Sequence, residues 1–168
     1  MLTLEMAEKK DFDISMKILA EARAFQRAEG FVQWEDDYPS PELIVTDIAE
    51  KKAFLIKYCG EVAGYVRIDG DGDPEYDTLL GEWHTDGKYA VIHRLAFGDD
   101  FRCKGLSVEA FSLIEGYCAL RQINNIRIDT DFPNLRMQHV LEKCGYQKCG
   151  IVTLSAGKRI AYDKRLDK

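Results

Sequence analysis

The stretch from residue 89 to residue 120 reads YAVIHRLAFGDDFRCKGLSVEAFSLIEGYCAL and predicts a strand, a turn and a helix in that order. Residues 89–97 are rich in apolar and β-prone residues, which is typical of a strand. Gly98-Asp99-Asp100 interrupts this run. Helical spacing then places a set of apolar residues on one face of a helix: Leu106, Ala110, Leu113, Ile114, Tyr117 and Cys118.

The turn before this helix has the features of an anion site. The first backbone N–H groups of a helix have no partner within it, and together with the helix dipole they attract negative charge. Gly105 lets a phosphate approach the backbone closely, while Arg102 and Lys104 add positive charge. Neither G-x-G-x-x-G nor G-x-x-x-x-G-K-[ST] occurs in this stretch, so a phosphate site of another kind is predicted.

The stretch does contain the pattern R-x-x-G-x-[GA], with one change, directly after the strand end Leu95-Ala96-Phe97. Together with Arg102-Cys103-Lys104-Gly105-Leu106-Ser107, this strand end resembles the GCN5-related N-acetyltransferase (GNAT) superfamily. Ser107 replaces the usual Gly or Ala and narrows the room at the helix start. In that family the loop cradles the pyrophosphate of acetyl-CoA, so the resemblance implies acetyl-CoA as cofactor and CoA as product.

The resemblance also implies which residues hold the cofactor. Leu95 and Phe97 bind the pantetheine arm, which in the family fills a V-shaped gap beside this strand, and a nearby N–H polarises the thioester. Arg102 either joins the pyrophosphate site or braces the loop. Asn134 matches an asparagine that contacts pantetheine, and it also suits a helix cap. The implied cofactor-binding residues are Leu95, Ala96, Phe97, Arg102, Cys103, Lys104, Gly105, Leu106, Ser107 and Asn134.

The predicted elements follow one another in the order βααβββαβαββ, which resembles the GNAT fold from end to end. The predicted class is α/β (α+β), with a mixed, mostly antiparallel central sheet flanked by helices. Ser40-Pro41-Glu42 indicates a helix start. Residues 75–84 are irregular and are predicted to pair briefly with the strand at residues 89–97. Because no linker, repeat or low-complexity segment interrupts the chain, residues 1–168 are predicted to form a single domain.

Composition narrows the function. The formal net charge of −6 argues against a nucleic-acid partner, because such partners require a basic surface. No apolar run is long enough to span a membrane, and the N-terminus lacks the apolar core of a signal peptide. Five cysteines without C-x-x-C spacing indicate reduced thiols in a cytoplasmic protein, and neither disulfides nor zinc or another metal are expected.

The acceptor site is implied by the resemblance alone. In the GNAT family two early helices and the loop between them form one wall of this site. Here that loop carries Trp34 and Tyr38, which either line a pocket or pack the helix ends. The implied acceptor is a primary amine of a small molecule or peptide. The sequence leaves the oligomeric state open, with a homodimer among the options.

Three residues are candidates for accepting the proton of the amine, which must be neutral to attack a thioester. His93 comes first, because imidazole exchanges protons near neutral pH and because similar family members carry an active-site histidine on this strand. Strand alternation places it on the face of Leu95; the alternative is a strand histidine that only makes a hydrogen bond. Asp129 resembles, one methylene shorter, a catalytic glutamate of ribosomal-protein N-terminal acetyltransferases. Glu82 is the third candidate.

One position departs from the family pattern. Many members carry a tyrosine as general acid in the context Y-E-K-x-G-F, and the matching run here is Leu141-Glu142-Lys143-Cys144-Gly145-Tyr146. Leu141 cannot donate a proton, so either another group protonates the CoA thiolate or none is needed.

Together these patterns predict an N-acetyltransferase that transfers the acetyl group of acetyl-CoA to a primary amine by direct attack in a ternary complex. Two alternatives stay open. One is an acyltransferase that uses another acyl-CoA, and the other is a catalytically idle CoA-binding sensor.

Overall fold

The computed structural model describes residues 1–166 of the chain. Within them, helices and strands alternate with short loops and three 3₁₀ turns. In chain order the helices and strands are β1 (Leu2–Met6), α1 (Phe12–Ala28), α2 (Pro41–Ala49), β2 (Ala53–Tyr58), β3 (Glu61–Asp69), β4 (Leu80–Gly81), β5 (Ala90–Phe97), α3 (Leu106–Leu120), β6 (Asn125–Thr130), α4 (Leu135–Lys143), β7 (Gln147–Leu154) and β8 (Gly157–Arg165). None of the helices in this part of the chain is long and apolar enough to cross a membrane.

The eight strands form a mixed sheet in the order β1-β2-β3-β5-β6-β8-β7-β4. Pairing is antiparallel between β1 and β2, β2 and β3, β4 and β7, β6 and β8, and β7 and β8. β5 and β6 run parallel, with Ala90 opposite Ile126 and Val91 opposite Arg127. The predicted class, a mostly antiparallel sheet with helices, is confirmed.

Local sequence signals explain several element boundaries. The Ser40 hydroxyl caps α2 by accepting a hydrogen bond from the Leu43 backbone N–H at 3.2 Å. Asn134 caps α4 in the same way, through the Met137 N–H at 3.2 Å. At the β2–β3 hairpin, Cys59 and Gly60 both have positive φ angles, 49° and 89°, as a two-residue hairpin loop requires.

The predicted pairing of residues 75–84 with the 89–97 strand is wrong. β4 lies in that segment and pairs with β7, with Leu80 opposite Ile151 and Gly81 opposite Gly150. The two strands approach closely because both facing residues are glycine: a Cβ on Gly81 would lie 2.0 Å from the Cys149 carbonyl oxygen. A strand of two residues carries no periodic signal, so the sequence pattern could not reveal its partner.

The chain divides into two compact units by its backbone contacts. The first comprises Met1–Ile68 and His93–Leu113, and the second comprises Asp69–Ile92 with the described residues from Ile114 onward. The core of the first unit includes Ile18, Leu19, Ile44, Leu55 and Tyr65. The core of the second unit includes Tyr76, Val91, Cys149, Val152 and Ala161. The single domain predicted for residues 1–168 stays a prediction.

In the first unit, the buried carboxylate of Asp47 on α2 faces two arginines. Arg94 of β5 donates from Nη2 to the two carboxylate oxygens at 2.7 and 2.9 Å, and Arg67 of β3 donates from Nε at 3.0 Å. The Tyr65 hydroxyl donates to the same carboxylate at 2.7 Å. Burial and the Asp47 charge raise the pKa of Tyr65, so this hydroxyl stays protonated. One carboxylate therefore ties α2 to β3 and β5.

We expect Asp47→Asn to lower the free energy of unfolding by about 3–5 kcal/mol, because it leaves buried guanidinium groups without their counterion. Urea unfolding measured by circular dichroism gives this value. The matched control is Glu50→Gln just after the same helix, where an exposed glutamate pairs with Lys52 at 3.5 Å. This control should change the free energy by less than about 1 kcal/mol. Equal losses in the two variants would contradict the role assigned to Asp47.

Candidate active site

The basic turn between β5 and α3 is held in place by the side chain of Arg102. Its Nη2 donates to the Phe97 carbonyl oxygen at 2.6 Å, and its Nη1 makes an ion pair with Asp99. Its guanidinium carbon lies 4.4 Å from the centre of the Phe25 ring. Of the two roles considered for Arg102, the structure supports bracing of the loop.

The backbone of the turn is open where the sequence predicts phosphate binding. Gly105 has a φ angle of +74°, and a Cβ placed on it would meet nothing within 4 Å. Cys103 and Lys104 are exposed, and Cys103 is also left-handed with φ 63°. Because α3 begins at Leu106, its first N–H groups follow directly on this open turn.

The end of β5 contains a residue that breaks the regular strand. Arg94 has a φ angle of 56°, a conformation that residues other than glycine rarely adopt. Simple alternation across this residue therefore does not relate His93 to Leu95, contrary to the sequence-based argument. His93, Leu95 and Phe97 are partly buried, and Ala96 is buried.

Tyr38 belongs to the same network as Asp47. Arg94 donates from Nη1 to the Tyr38 hydroxyl at 2.8 Å. Trp34 packs edge-on against Tyr38, with ring centres 6.1 Å apart, and lies buried in the core cluster of the first unit. For Trp34, the structure supports the packing role; Tyr38 is partly buried beside it.

In the second unit, Asp129 on β6 is engaged by a tyrosine that sequence reasoning missed. The hydroxyl of Tyr76 donates to Asp129 Oδ2 at 2.7 Å. Burial and the adjacent Asp129 charge raise the pKa of Tyr76 well above its ordinary value, so the hydroxyl is a permanent donor. The two residues are 53 positions apart, so no local sequence pattern indicates that they form a hydrogen bond.

Glu82 lines a cleft of about 520 Å³ that lies wholly in the second unit. Asp77 and Asp86 add two further carboxylates, while Trp83 and Arg127 contribute an aromatic ring and a guanidinium. The guanidinium of Arg127 lies 4.3 Å from the centre of the Trp83 ring and 4.1 Å from that of Tyr89. The sequence analysis did not predict that Arg127 stacks on these two rings. The three carboxylates that line the cleft favour cationic ligands.

His84, Cys149 and Asp163 form a polar cluster in the same unit. Burial raises the pKa of the Cys149 thiol to about 12, and the neighbouring Asp163 carboxylate adds to the effect. Burial alone would raise the pKa of Asp163, but hydrogen bonds from Cys149, His84 and Thr85 outweigh it and hold this pKa below its ordinary value. Asp163 is therefore a buried carboxylate that stays charged at neutral pH.

The remaining sequence-predicted positions are placed as follows. Asn134 is the cap of α4, as one of its two considered roles required. Leu141, which replaces the family tyrosine, is fully buried on α4 and offers no polar atom from its side chain. The tyrosine that follows the glycine of this run, Tyr146, is buried as well.

Comparisons with known proteins identify the family of this chain. The model of the acetyltransferase (GNAT) family matches residues 18–146, and the chain belongs to this family. An acetyltransferase of the GNAT family from Streptococcus agalactiae 2603 is 34% identical, with a TM-score of 0.88 over 99% of this chain and 96% of that chain. The resemblance drawn from the 89–120 stretch is thus confirmed.

More distant structures share the fold. A GNAT-family acetyltransferase from Listeria monocytogenes 4b F2365 is 20% identical, with a TM-score of 0.77 over 98% of this chain and 95% of that chain. An aminoglycoside acetyltransferase in complex with coenzyme A is 17% identical, with a TM-score of 0.72 over 98% and 95% of the two chains. The chain has no significant match among curated protein sequences.

Proposed function

We propose that this protein is an N-acetyltransferase that moves the acetyl group of acetyl-CoA to a primary amine of a small molecule or peptide. The observation that carries the proposal is the open turn at Gly105, directly before α3, in a chain of the GNAT family. The amine attacks the thioester carbon within a ternary complex, the carbon–sulfur bond breaks, and CoA leaves as the thiolate. Binding the amine and the thioester next to each other in the correct orientation supplies much of the rate acceleration.

The cofactor-binding role rests on the turn and on the strand before it. The backbone amides of residues 103–107 suit the pyrophosphate, because the helix start leaves N–H donors without helical partners. Lys104 is exposed and adds positive charge, whereas Arg102 acts indirectly by fixing the turn. Leu95 and Phe97 are assigned to the pantetheine arm, and Asn134 is assigned a contact with it beside its capping role. The coenzyme A complex of the aminoglycoside acetyltransferase supports this use of the fold.

Tyr38 and, where it is not confined to packing, Trp34 keep the acceptor-site role that the family resemblance assigns to them. The acidic cleft of the second unit favours a cationic amine as ligand. Asp77, Glu82 and Asp86 surround the cleft beside Trp83, so a ligand with several ammonium groups finds both charge and an aromatic surface there. Structures that share the fold hold kanamycin or paromomycin, which are small amines of this kind.

We assign the role of proton acceptor to His93, directly or through one water. Asp129 is the first alternative, although Tyr76 already donates to one of its oxygens at 2.7 Å. Glu82, exposed at the cleft, is the second. Leu141 replaces the family tyrosine and cannot donate a proton to the CoA thiolate. The thiolate is stable enough as an anion to leave unprotonated.

All five cysteines are free thiols, which fits the reducing cytoplasm that we propose as the compartment. We expect no nucleic-acid or membrane partner, and a homodimer is one option for the assembled enzyme.

Turnover is the direct test of the proposed function. Incubation with acetyl-CoA and a panel of small amines, followed by release of free thiol, should show turnover with at least one polyamine or aminoglycoside. A panel of longer acyl-CoA donors separates acetyl transfer from other acyl transfer. Tight CoA binding without thiol release for any amine or donor would favour the idle sensor instead.

Gly105→Glu should abolish detectable CoA binding, because it puts a side chain and a negative charge where the pyrophosphate binds. Isothermal titration with CoA measures the affinity. The matched control is Gly60→Glu, since Gly60 has a similar φ angle of +89° against +74° and is equally open. Unchanged CoA affinity in a folded Gly105→Glu variant would remove the turn from the site.

His93→Gln keeps a hydrogen-bonding side chain of similar size but removes the group that accepts the proton. We expect kcat/KM to fall by about 10²–10⁴ and the acidic limb of its pH profile to change shape. His139→Gln, at an exposed position of α4, is the control and should leave both unchanged. The same amine must be used throughout, because its own ionisation also shapes this limb. An unaltered profile in His93→Gln would transfer the role to Asp129, Glu82 or water.

A further inference from the structure

Three side chains of the kinds that bind transition metals converge in the second unit. His84 lies in the connection after β4, Cys149 on β7 and Asp163 on β8. His84 Nδ1 is 3.0 Å from Asp163 Oδ1 and 3.3 Å from Cys149 Sγ, and all three ligand atoms lie within 4.8 Å of one another. Cys149 and Asp163 are buried, whereas the side chain of His84 is 45% exposed.

The backbone brings these residues together by two irregular features. The β7–β8 pairing shifts between Lys148 and Gly150, so Cys149 is the extra residue of a bulge, a device that redirects a side chain. The Gly81–Gly150 contact then lets β4 lie against this bulge, and the Glu82 N–H donates to the Cys149 carbonyl oxygen at 3.0 Å. His84 follows two residues later.

Backbone and hydroxyl donors orient one carboxylate oxygen of Asp163. Its Oδ2 accepts from the backbone N–H groups of His84 and Thr85 at 2.7 and 2.9 Å, and from the Thr85 hydroxyl at 3.1 Å. These bonds fix the carboxylate and leave Oδ1 directed toward His84 Nδ1. Outer hydrogen bonds of this kind are what orient a carboxylate ligand in a metal site.

We propose that His84, Cys149 and Asp163 bind a zinc ion. One sulfur, one nitrogen and one oxygen ligand form a set that zinc accepts, whereas magnesium and calcium prefer oxygen alone. Zinc–ligand bonds of about 2.0–2.3 Å place neighbouring ligand atoms about 3.3–3.6 Å apart, so small shifts of the present atoms suffice. Thiolate and carboxylate together cancel the charge of Zn²⁺, and water completes the tetrahedron on the exposed side of His84.

The proton balance of binding is simple. The Cys149 thiol releases its proton to solvent as the sulfur–zinc bond forms, and the neutral imidazole of His84 binds through Nδ1 with its proton on Nε2. Asp163 is already ionised. The geometry also excludes a nucleophilic triad, because the thiol and the carboxylate both face the same imidazole nitrogen instead of opposite ones.

A bound zinc would fasten the segment after β4 to β7 and β8. Glu82, Trp83 and Thr85 of this segment line the acidic cleft, so the metal would hold one wall of it in place. The inference is independent of acetyl transfer, and its test measures metal binding without turnover.

Cobalt titration of the chelator-treated full chain tests the proposal, because Co²⁺ replaces Zn²⁺ and is coloured. We expect one equivalent to produce tetrahedral visible bands and a thiolate charge-transfer band, both removed by added Zn²⁺. Cys149→Ser should lose the charge-transfer band, while Cys59→Ser, which changes an exposed thiol, should keep it. His84→Ala should weaken Co²⁺ binding at least about tenfold, since losing a ligand costs no less than losing its outer hydrogen bond.

Thermal unfolding gives a second readout that does not depend on Cys149→Ser folding. Zn²⁺ should raise the Tm of the wild type and of Cys59→Ser, because it binds the folded chain. It should raise the Tm of His84→Ala less than that of the wild type. The half-exposed side chain of His84 can be removed without opening the core. Absence of the charge-transfer band in the wild type, its persistence in Cys149→Ser, or equal stabilisation of His84→Ala by Zn²⁺ would overturn the proposal.

Discussion

The buried Asp47 carboxylate is the interaction on which the end of β5 depends. Arg94 adopts a left-handed conformation inside a strand, which a residue other than glycine keeps only when its surroundings hold it there. Asp47 and Tyr38 hold its guanidinium through four hydrogen bonds. The next three residues end the strand, and Arg102 then fixes the turn by bonding to the Phe97 carbonyl oxygen. The ion pair between Arg94 and Asp47 thus supports the end of β5, which leads into the proposed cofactor site.

In the second unit, the close approach of the β4 and β7 backbones positions the candidate site residues. Glycine at positions 81 and 150 allows β4 to contact β7, where any Cβ would clash with a carbonyl oxygen. The segment that follows places Glu82 and Trp83 at the cleft and His84 beside Cys149 and Asp163. The stack of Arg127 on Trp83 and Tyr89 keeps a positive charge within an otherwise acidic lining. Cleft and polar cluster therefore share one structural origin.

Membership of the GNAT family indicates acyl transfer, and the departures from the family pattern bear on the mechanism that we propose. With an aliphatic, fully buried residue at position 141, the proposed reaction relies on positioning and on a thiolate that leaves unprotonated. The amine then needs only a proton acceptor. Tyr76 is a poor replacement for the family acid, because burial and Asp129 hold its proton firmly.

The sequence by itself determined what depends on neighbours along the chain. Local propensities predict the strand, turn and helix of residues 89–120, and capping preferences predict the roles of Ser40 and Asn134. The structure has all of them. The tertiary structure alone decided the partner of β4, the left-handed Arg94, the Tyr76–Asp129 bond and the cluster of His84, Cys149 and Asp163. Two of these features join residues 53 and 79 positions apart, Tyr76 with Asp129 and His84 with Asp163. No short-range pattern encodes them, because they arise from strand pairing and burial rather than from local backbone preference.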